Sequence, residues 1–147
     1  AASDPSREAE ALDLVERAEA LWPATPHRMS EQSLAVFRRI DPAVHGTRRR
    51  QNAHRLAARL GDRLPSLLKG EGTPFTYPVL VDERDALLKL LHARRVFATP
   101  LWSDARHDPI EHPVAGDLTR RLLALPVDQR YAPADMDELA QTVLSCL

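Results

Sequence analysis

Three features of the chain predict an α+β domain: a small antiparallel or mixed sheet of about three strands, helices packed on one face, and a helical N-terminal arm in front. Apolar residues recur at helical spacing as far as Leu60, with no strand-like alternation. Beyond Gly70-Glu71-Gly72, three short runs rich in apolar, β-branched or aromatic residues alternate with helical stretches. The 147 residues suffice for one domain plus an arm, and bury a core with neither disulfides nor a structural metal.

In chain order, Ser3-Asp4-Pro5 offers an N-cap followed by a proline near the first helical position. Ala11, Leu14, Val15, Ala18, Leu21 and Trp22 then hold helical phase until Pro23, and Pro23-Ala24-Thr25-Pro26 forms a hinge. Ser30 caps a short helix ending near Ile40, with Met29 and Leu34 placed as a hydrophobic staple. Asp41-Pro42 opens a helix that reaches Leu60, with Gly61 as its C-cap. Phe75–Val81 reads as a strand whose internal Pro78 marks an edge or a bulge. Asp82 is placed to cap a helix ending near Arg95, and Val96–Trp102 is the second strand candidate. A polar loop from Ser103 to Pro113, a short helix around Val114–Arg121 and a strand at Leu122–Val127 follow. The last helix, from about Pro133, carries Met136, Leu139, Ala140, Val143 and Leu144 on one face.

Composition narrows the function classes. Hydrophobic residues at 44% and charged residues at 28% exclude a disordered or collagen-like chain. A net charge of −1 gives no global support to nucleic-acid binding. No apolar run approaches the ~18–20 residues of a membrane helix, and no apolar signal core is present. With Cys146 as the only cysteine, a cytoplasmic location is expected. The chain begins without Met, as expected of a part of a longer protein.

Candidate chemistry is sparse. Arg48, Arg55, Arg59 and Arg63 share one helix face beside Arg49 and Arg50, which reads as a solvated face in preference to a phosphate-contacting stripe. Asp104–His112 concentrates metal-ligand types, but its spacing is one residue too long for His-x-x-Glu-His and Pro109 interrupts a helix, so no metal is expected. Cys146 lies at the fraying chain end, and no nucleophile elbow, phosphate loop or dinucleotide glycine pattern occurs. Lys69 and Lys89 are the only lysines; both read as exposed, unsuited to a Schiff base that demands desolvation. Trp102 at one strand end and Arg130-Tyr131 after another have the chemistry to bind a sugar or a phosphate, with core filling the plainer role.

Several segments, in order, resemble the C-terminal part of the DegT/StrS-type pyridoxal-phosphate-dependent sugar aminotransferases. His27-Arg28-Met29-Ser30-Glu31 resembles the family's Asn-Tyr-Arg-Met-Ser-Glu stretch, where the large domain hands over to the small one. Ile40-Asp41, Arg48-Arg49-Arg50-Gln51-Asn52 and Leu56 resemble its long connecting helix. Tyr77–Val81 with Arg84-Asp85 resembles the small domain's first strand and helix start, and Val96-Phe97 and Trp102 match the segment after it. Leu125-Pro126-Val127-Asp128-Gln129-Arg130-Tyr131 with Asp135-Met136 resembles the closing Leu-Pro-x-Asp-Gln-Arg-Tyr strand and last helix.

The resemblance implies a small α+β domain over residues 26–147, with residues 1–25 as a helical arm or the tail of the missing large domain. It implies pyridoxal phosphate and a keto-sugar nucleotide substrate in a dimeric parent enzyme of polysaccharide or related biosynthesis, with Arg28, Trp102 and Arg130 contacting substrate. The family's Schiff-base lysine lies well upstream of the Asn-Tyr-Arg stretch, where this chain has no lysine. The chain alone is therefore expected to be inactive and to bind no cofactor. Pro26 stands where the family's Asn reaches the neighbouring subunit's cofactor phosphate, and His27 where Tyr is usual. That leaves open a divergent aminotransferase or a relative that no longer uses the cofactor. The alternative is a dimerisation or partner-docking module derived from the family.

Overall fold

A computed structural model describes residues 5–21, 28–68, 70, 72–103 and 110–147, which fall into two units, Ala1–Ile40 and Asp41–Leu147. The first unit contains α1 (Pro5–Ala20) and α2 (Glu31–Phe37). α1 is described from Pro5, and Ser3, Trp22 and the Pro23–Pro26 hinge lie outside the described residues. Ser30 caps α2 as expected, its Oγ accepting from the Ser33 N–H at 3.1 Å. The helix closes at Phe37, where Arg39 and Ile40 tighten into bonds to Val36 and Phe37. α2 buries none of its residues, and residues 13–20 of α1 are exposed throughout.

The second unit runs α3 (Pro42–Leu60), β1 (Thr76–Leu80), α4 (Arg84–Ala93), β2 (Thr99–Pro100), α5 (Pro113–Arg121), β3 (Leu122–Pro126) and α6 (Pro133–Leu144). Asp41 caps α3 through Oδ1, which accepts from the Ala43 and Val44 N–H groups. Gly61, at φ 54°, ends it in a conformation that glycine adopts without strain. The sheet order is β1-β3-β2 with both pairings antiparallel. Pro78 lies on edge strand β1, and its carbonyl accepts from Leu67 N–H outside the ladder, so the missing proline N–H costs no strand bond.

Two local expectations are corrected. The second strand is two residues long, not Val96–Trp102, because Pro100 has no N–H and Trp102 at φ 54° turns the chain out of the sheet. Asp82 does not cap α4, whose N-cap is Glu83 without a side-chain bond. It sits 2.8 Å from Arg121 Nε, and that ion pair competes for the carboxylate.

Helices cover one face of the sheet. The core joins Leu56 and Leu60 of α3, Leu87 and Leu91 of α4, and Met136, Leu139, Ala140 and Val143 of α6 to Tyr77, Val79, Leu123 and Leu125 of the strands. α6 has the predicted apolar face, and its first turn is closed by Ala132 N–H donating to Asp135 Oδ2 at 2.7 Å. Among the described residues no helix is long and apolar enough to cross a membrane.

Candidate functional site

Strand alternation decides what faces away from the core. The register pairs Tyr77 with Leu125 and Val79 with Leu123 on the buried side. Thr76, Ala124, Pro126 and Thr99 therefore share the opposite side, with Thr99 set against Ala124. These four form the floor of a groove of about 370 Å³. Phe75 and Phe97, 79% and 71% exposed, line it, and Arg49 and the turn Val127–Arg130 complete its lining.

That turn is held from α3. Asn52 is 0% exposed, and its Nδ2 lies 2.9 Å from the Asp128 carbonyl, 3.0 Å from that of Tyr131 and 3.4 Å from that of Val127. Three carbonyls around one atom identify it as the amide NH₂. Its Oδ1 has no hydrogen-bond partner among the described residues. One turn earlier on α3, Arg49 Nε donates to Gln129 Oε1 at 2.8 Å and Nη1 to the Phe75 carbonyl at 3.1 Å. The guanidinium also lies over the Phe75 ring, 5.2 Å from its centroid. One cation thus ties a groove wall to the turn.

Within the turn, Arg130 Nε and Nη2 each donate to an Asp128 carboxylate oxygen at 2.9 Å. The hydrogen bond from Arg130 holds Asp128 below the usual carboxylate range against the opposing effect of burial. Arg130 is in turn held well above its ordinary value, first by that same bond. Its side chain remains 78% exposed, and Nη1 has no hydrogen-bond partner among the described residues. The groove therefore combines two exposed aromatic rings, two threonine hydroxyls and a guanidinium edge. Such a set accepts flat apolar faces and anionic or hydroxyl groups.

Of the residues expected to contact substrate, Arg130 lines this groove. Trp102 does not. Pro100 pairs with Leu123, so Trp102 falls past the Leu122 end of β3, about 13 Å of strand away from the Pro126 end where Arg130 follows. It is 68% exposed at a positive φ that bulky side chains rarely adopt. Arg28 is exposed and belongs to the first unit. Tyr131 has its carbonyl bound by Asn52.

The arginine face is more structural than expected. Arg55 and Arg59 both bind Asp137 of α6, through Nε at 2.7 and 2.8 Å. Arg49 holds the turn, and Arg50 donates to Thr47 and Thr73. Lys89, the one described lysine, is exposed on α4, while Lys69 lies outside the described residues. A lysine that holds pyridoxal phosphate covalently must be desolvated, so Lys89 does not fit that role. Asp104–Pro109 also lie outside the described residues, and among the rest no three potential metal ligands converge.

Arg49, Asn52, Phe75, Thr76 and Thr99 were not anticipated as site residues. Asn52 carried a signal: it stands four and eight residues before Leu56 and Leu60, a polar group in the buried phase of α3.

The fold is that of a small α+β domain, and it is similar to part of several sugar aminotransferases. Among solved structures, S. venezuelae DesV, in complex with a ketimine intermediate, superposes with a TM-score of 0.69 at 18% identity, over 85% of this chain and 38% of that one. A DegT DnrJ EryC1 StrS aminotransferase from Brucella abortus gives 0.61 at 20% identity, over 78% and 33%. A GDP-4-keto-6-deoxymannose-3-dehydratase with a trapped PLP-glutamate geminal diamine gives 0.58 at 16% identity, over 69% and 31%. At these identities the likeness establishes the fold, and the chain spans about a third of the length of the structures it matches. No protein-family model matches the sequence, and neither does any curated protein.

Proposed function

We propose that this chain is the small-domain part, residues 26–147, of a cytoplasmic pyridoxal-phosphate-dependent aminotransferase acting on a keto-sugar nucleotide in polysaccharide or related biosynthesis. In this reading residues 1–25 are an arm or the tail of the large domain, and the working enzyme is a homodimer. The observation that carries the reading is the groove on the side of the sheet opposite Tyr77, Val79, Leu123 and Leu125, with Phe75, Phe97 and Arg130 around a threonine-bearing floor. Aromatic rings suit the flat faces of sugar and base, hydroxyls suit sugar oxygens, and Arg130 suits a phosphate. The sugar aminotransferases that share the fold support the substrate class. The dehydratase that shares it shows that this fold also serves another reaction.

Pyridoxal phosphate would supply the electron sink for amino transfer. Its Schiff-base lysine comes from a segment outside Ala1–Leu147 in this proposal, so the chain alone is inactive. What its own residues contribute is a wall: Asn52 and Arg49 fix the turn, and the turn presents Arg130 to the substrate's anionic group. In this proposal Arg28 and Trp102, which do not line the groove, contact substrate outside it.

Two titrations test this. With pyridoxal phosphate, the chain is expected to give no stoichiometric absorbance band; a band saturating at one per chain and lost in Lys69→Ala overturns the division of labour. With thymidine-diphosphate glucose at about 10 mM, backbone amide shifts are expected at Thr76, Thr99, Gln129 and Arg130 and are lost in Arg130→Ala. A groove that stays silent refutes the assigned wall.

The second reading, a dimerisation or docking module, is favoured by one observation: the first unit's helices leave apolar faces uncovered.

A further inference from the structure

The Asp41–Leu147 unit has a second cavity, of about 270 Å³, between α3 and the segment that leads into β1. Its helical wall comes from Arg50, Ala53, His54 and Ala57, which share one face of α3. That face is short. Ala53 and Ala57 stand one turn, or about 6 Å, apart, whereas the sheet-facing phase of the same helix carries Leu56 and Leu60. Leu68, Gly72, Thr73 and Pro74 form the opposing wall, and Tyr77 of β1 lines the cavity from the sheet side.

The opposing wall is tied at both ends, so the cavity is part of the fold. Ser66 Oγ and Leu67 N–H donate to the Pro78 carbonyl at 3.4 and 3.0 Å, and Arg50 Nη1 donates to Thr73 Oγ1 at 2.9 Å. Between the ties, Gly70 at φ 96° holds a conformation that favours glycine. Gly72 does not, and a Cβ there would meet nothing within 4 Å among the described residues. A glycine that neither backbone nor packing demands leaves room for a ligand to approach the main chain.

Charge decides what kind of ligand fits. Arg49, Arg55 and Arg59 of α3 are engaged by Gln129 and Asp137. Arg50 instead bonds only to the hydroxyls of Thr47 and Thr73, and its Nε has no hydrogen-bond partner among the described residues. No carboxylate is among the described residues that line the cavity. A guanidinium without a counter-ion at one end of an apolar slot selects an anion, and the alanine strip suits a flat ring. The volume lies below the ~300–1,000 Å³ of sites for drug-sized molecules, which limits the ligand to a single ring.

We infer that this cavity is a binding site for a small aromatic carboxylate, with the ring between the Ala53–Ala57 strip and Leu68 and the carboxylate on Arg50. The site is separate from the sheet groove: Pro74 lines the one and its neighbour Phe75 the other. It does not rest on the reading of that groove as a substrate wall.

Benzoate is the probe, titrated into the 147-residue chain at constant ionic strength and followed by backbone amide shifts. Shifts are expected at Ser66, Gly72 and Thr73, saturating with a dissociation constant of about 1 mM or below, while Thr99 and Gln129 of the groove stay in place. Benzyl alcohol has the ring without the charge and acetate the charge without the ring, so each should bind about tenfold more weakly or worse. Ala57→Leu fills the slot from an exposed helix position and should abolish the shifts with the thermal transition unchanged. Arg50→Gln should reduce benzoate to the affinity of benzyl alcohol. Silence at all three amides up to about 20 mM benzoate overturns the proposal. Equal affinities for benzoate and benzyl alcohol also overturn it, since the cavity then selects no anion. So do shifts that persist in Ala57→Leu, since another surface then binds the probe.

Discussion

α2 and α3 begin alike and end differently. Each opens on a side chain that accepts from the first-turn N–H groups, Ser30 for α2 and Asp41 for α3. Each carries an apolar stripe flanked by arginines. Yet α2 buries nothing, whereas α3 buries Asn52, Ala53, Leu56 and Leu60. Capping decides where a helix starts; a covering layer decides whether its stripe contributes to stability. For α3 that layer is the sheet and α6. It also converts the flanking arginines into ties, to Gln129 from Arg49 and to Asp137 from Arg55 and Arg59.

The largest test of this contrast is truncation of each stripe. Leu56 is 0% exposed among side chains of the core, so Leu56→Ala should cost about 2–5 kcal/mol in urea unfolding. Phe37→Ala removes more atoms from α2, and yet the midpoint of the core's transition should stay in place. A comparable loss from both would mean that burial does not decide which stripe contributes to stability. Next in size is Asn52→Ala. It strips three carbonyls of their donor but also removes the unpaired Oδ1, so the net cost should be about 1–3 kcal/mol. Hydrogen exchange should accelerate at Gln129 and Arg130 beyond what the global loss explains. Uniform acceleration would show that Asn52 supports the core without fixing the turn.

Within the Asp41–Leu147 unit, Trp102 behaves like a residue of α2: large, apolar and exposed. It also carries strain at φ 54° that glycine would not. Trp102→Gly should therefore stabilise the unit by about 1 kcal/mol or leave it unchanged. A clear loss of stability would mean that the indole packs, and would remove it from the candidates for substrate contact.

How much of this was legible follows from the range of the interactions involved. Asp41, Pro42 and Gly61 bound α3 by local chemistry, and the apolar phase of α6 needs only its own twelve residues. β2 was overextended because the apolar run Val96–Trp102 hides a proline without a donor and a tryptophan turned outward. The groove was beyond reach for a different reason. Thr76, Thr99 and Ala124 become neighbours only through a strand order in which β3 lies between β1 and β2. Arg130 could be named from its place after a strand, but its carboxylate partner two residues back, and the hold of α3 on the turn that carries them, belong to tertiary structure. The arginine stripe read as solvated for the same reason: Asp137 is about eighty residues away in the chain.

The smallest effect separates the ties of α3 from ordinary surface pairs. Asp137 accepts from Arg55 and Arg59 together, and these bonds, Arg55's first, hold it below the usual carboxylate range although desolvation opposes them. A carboxylate whose folded pKa is depressed stabilises the fold above its unfolded value of about 3.9, and the benefit disappears as pH falls through the folded value. The urea midpoint should therefore decline on acidification below about pH 4, and Asp137→Asn should lower the neutral plateau while flattening that decline. The Asp13–Arg17 pair of α1 is exposed at both ends, with a single 2.8 Å contact, and breaking it by Arg17→Ala should leave the core's acid profile unchanged. An equal response to the two substitutions would mean that the shared carboxylate gives α3 no hold on α6 beyond that of a solvated ion pair. The contrast between the two helices would then rest on the apolar stripe alone.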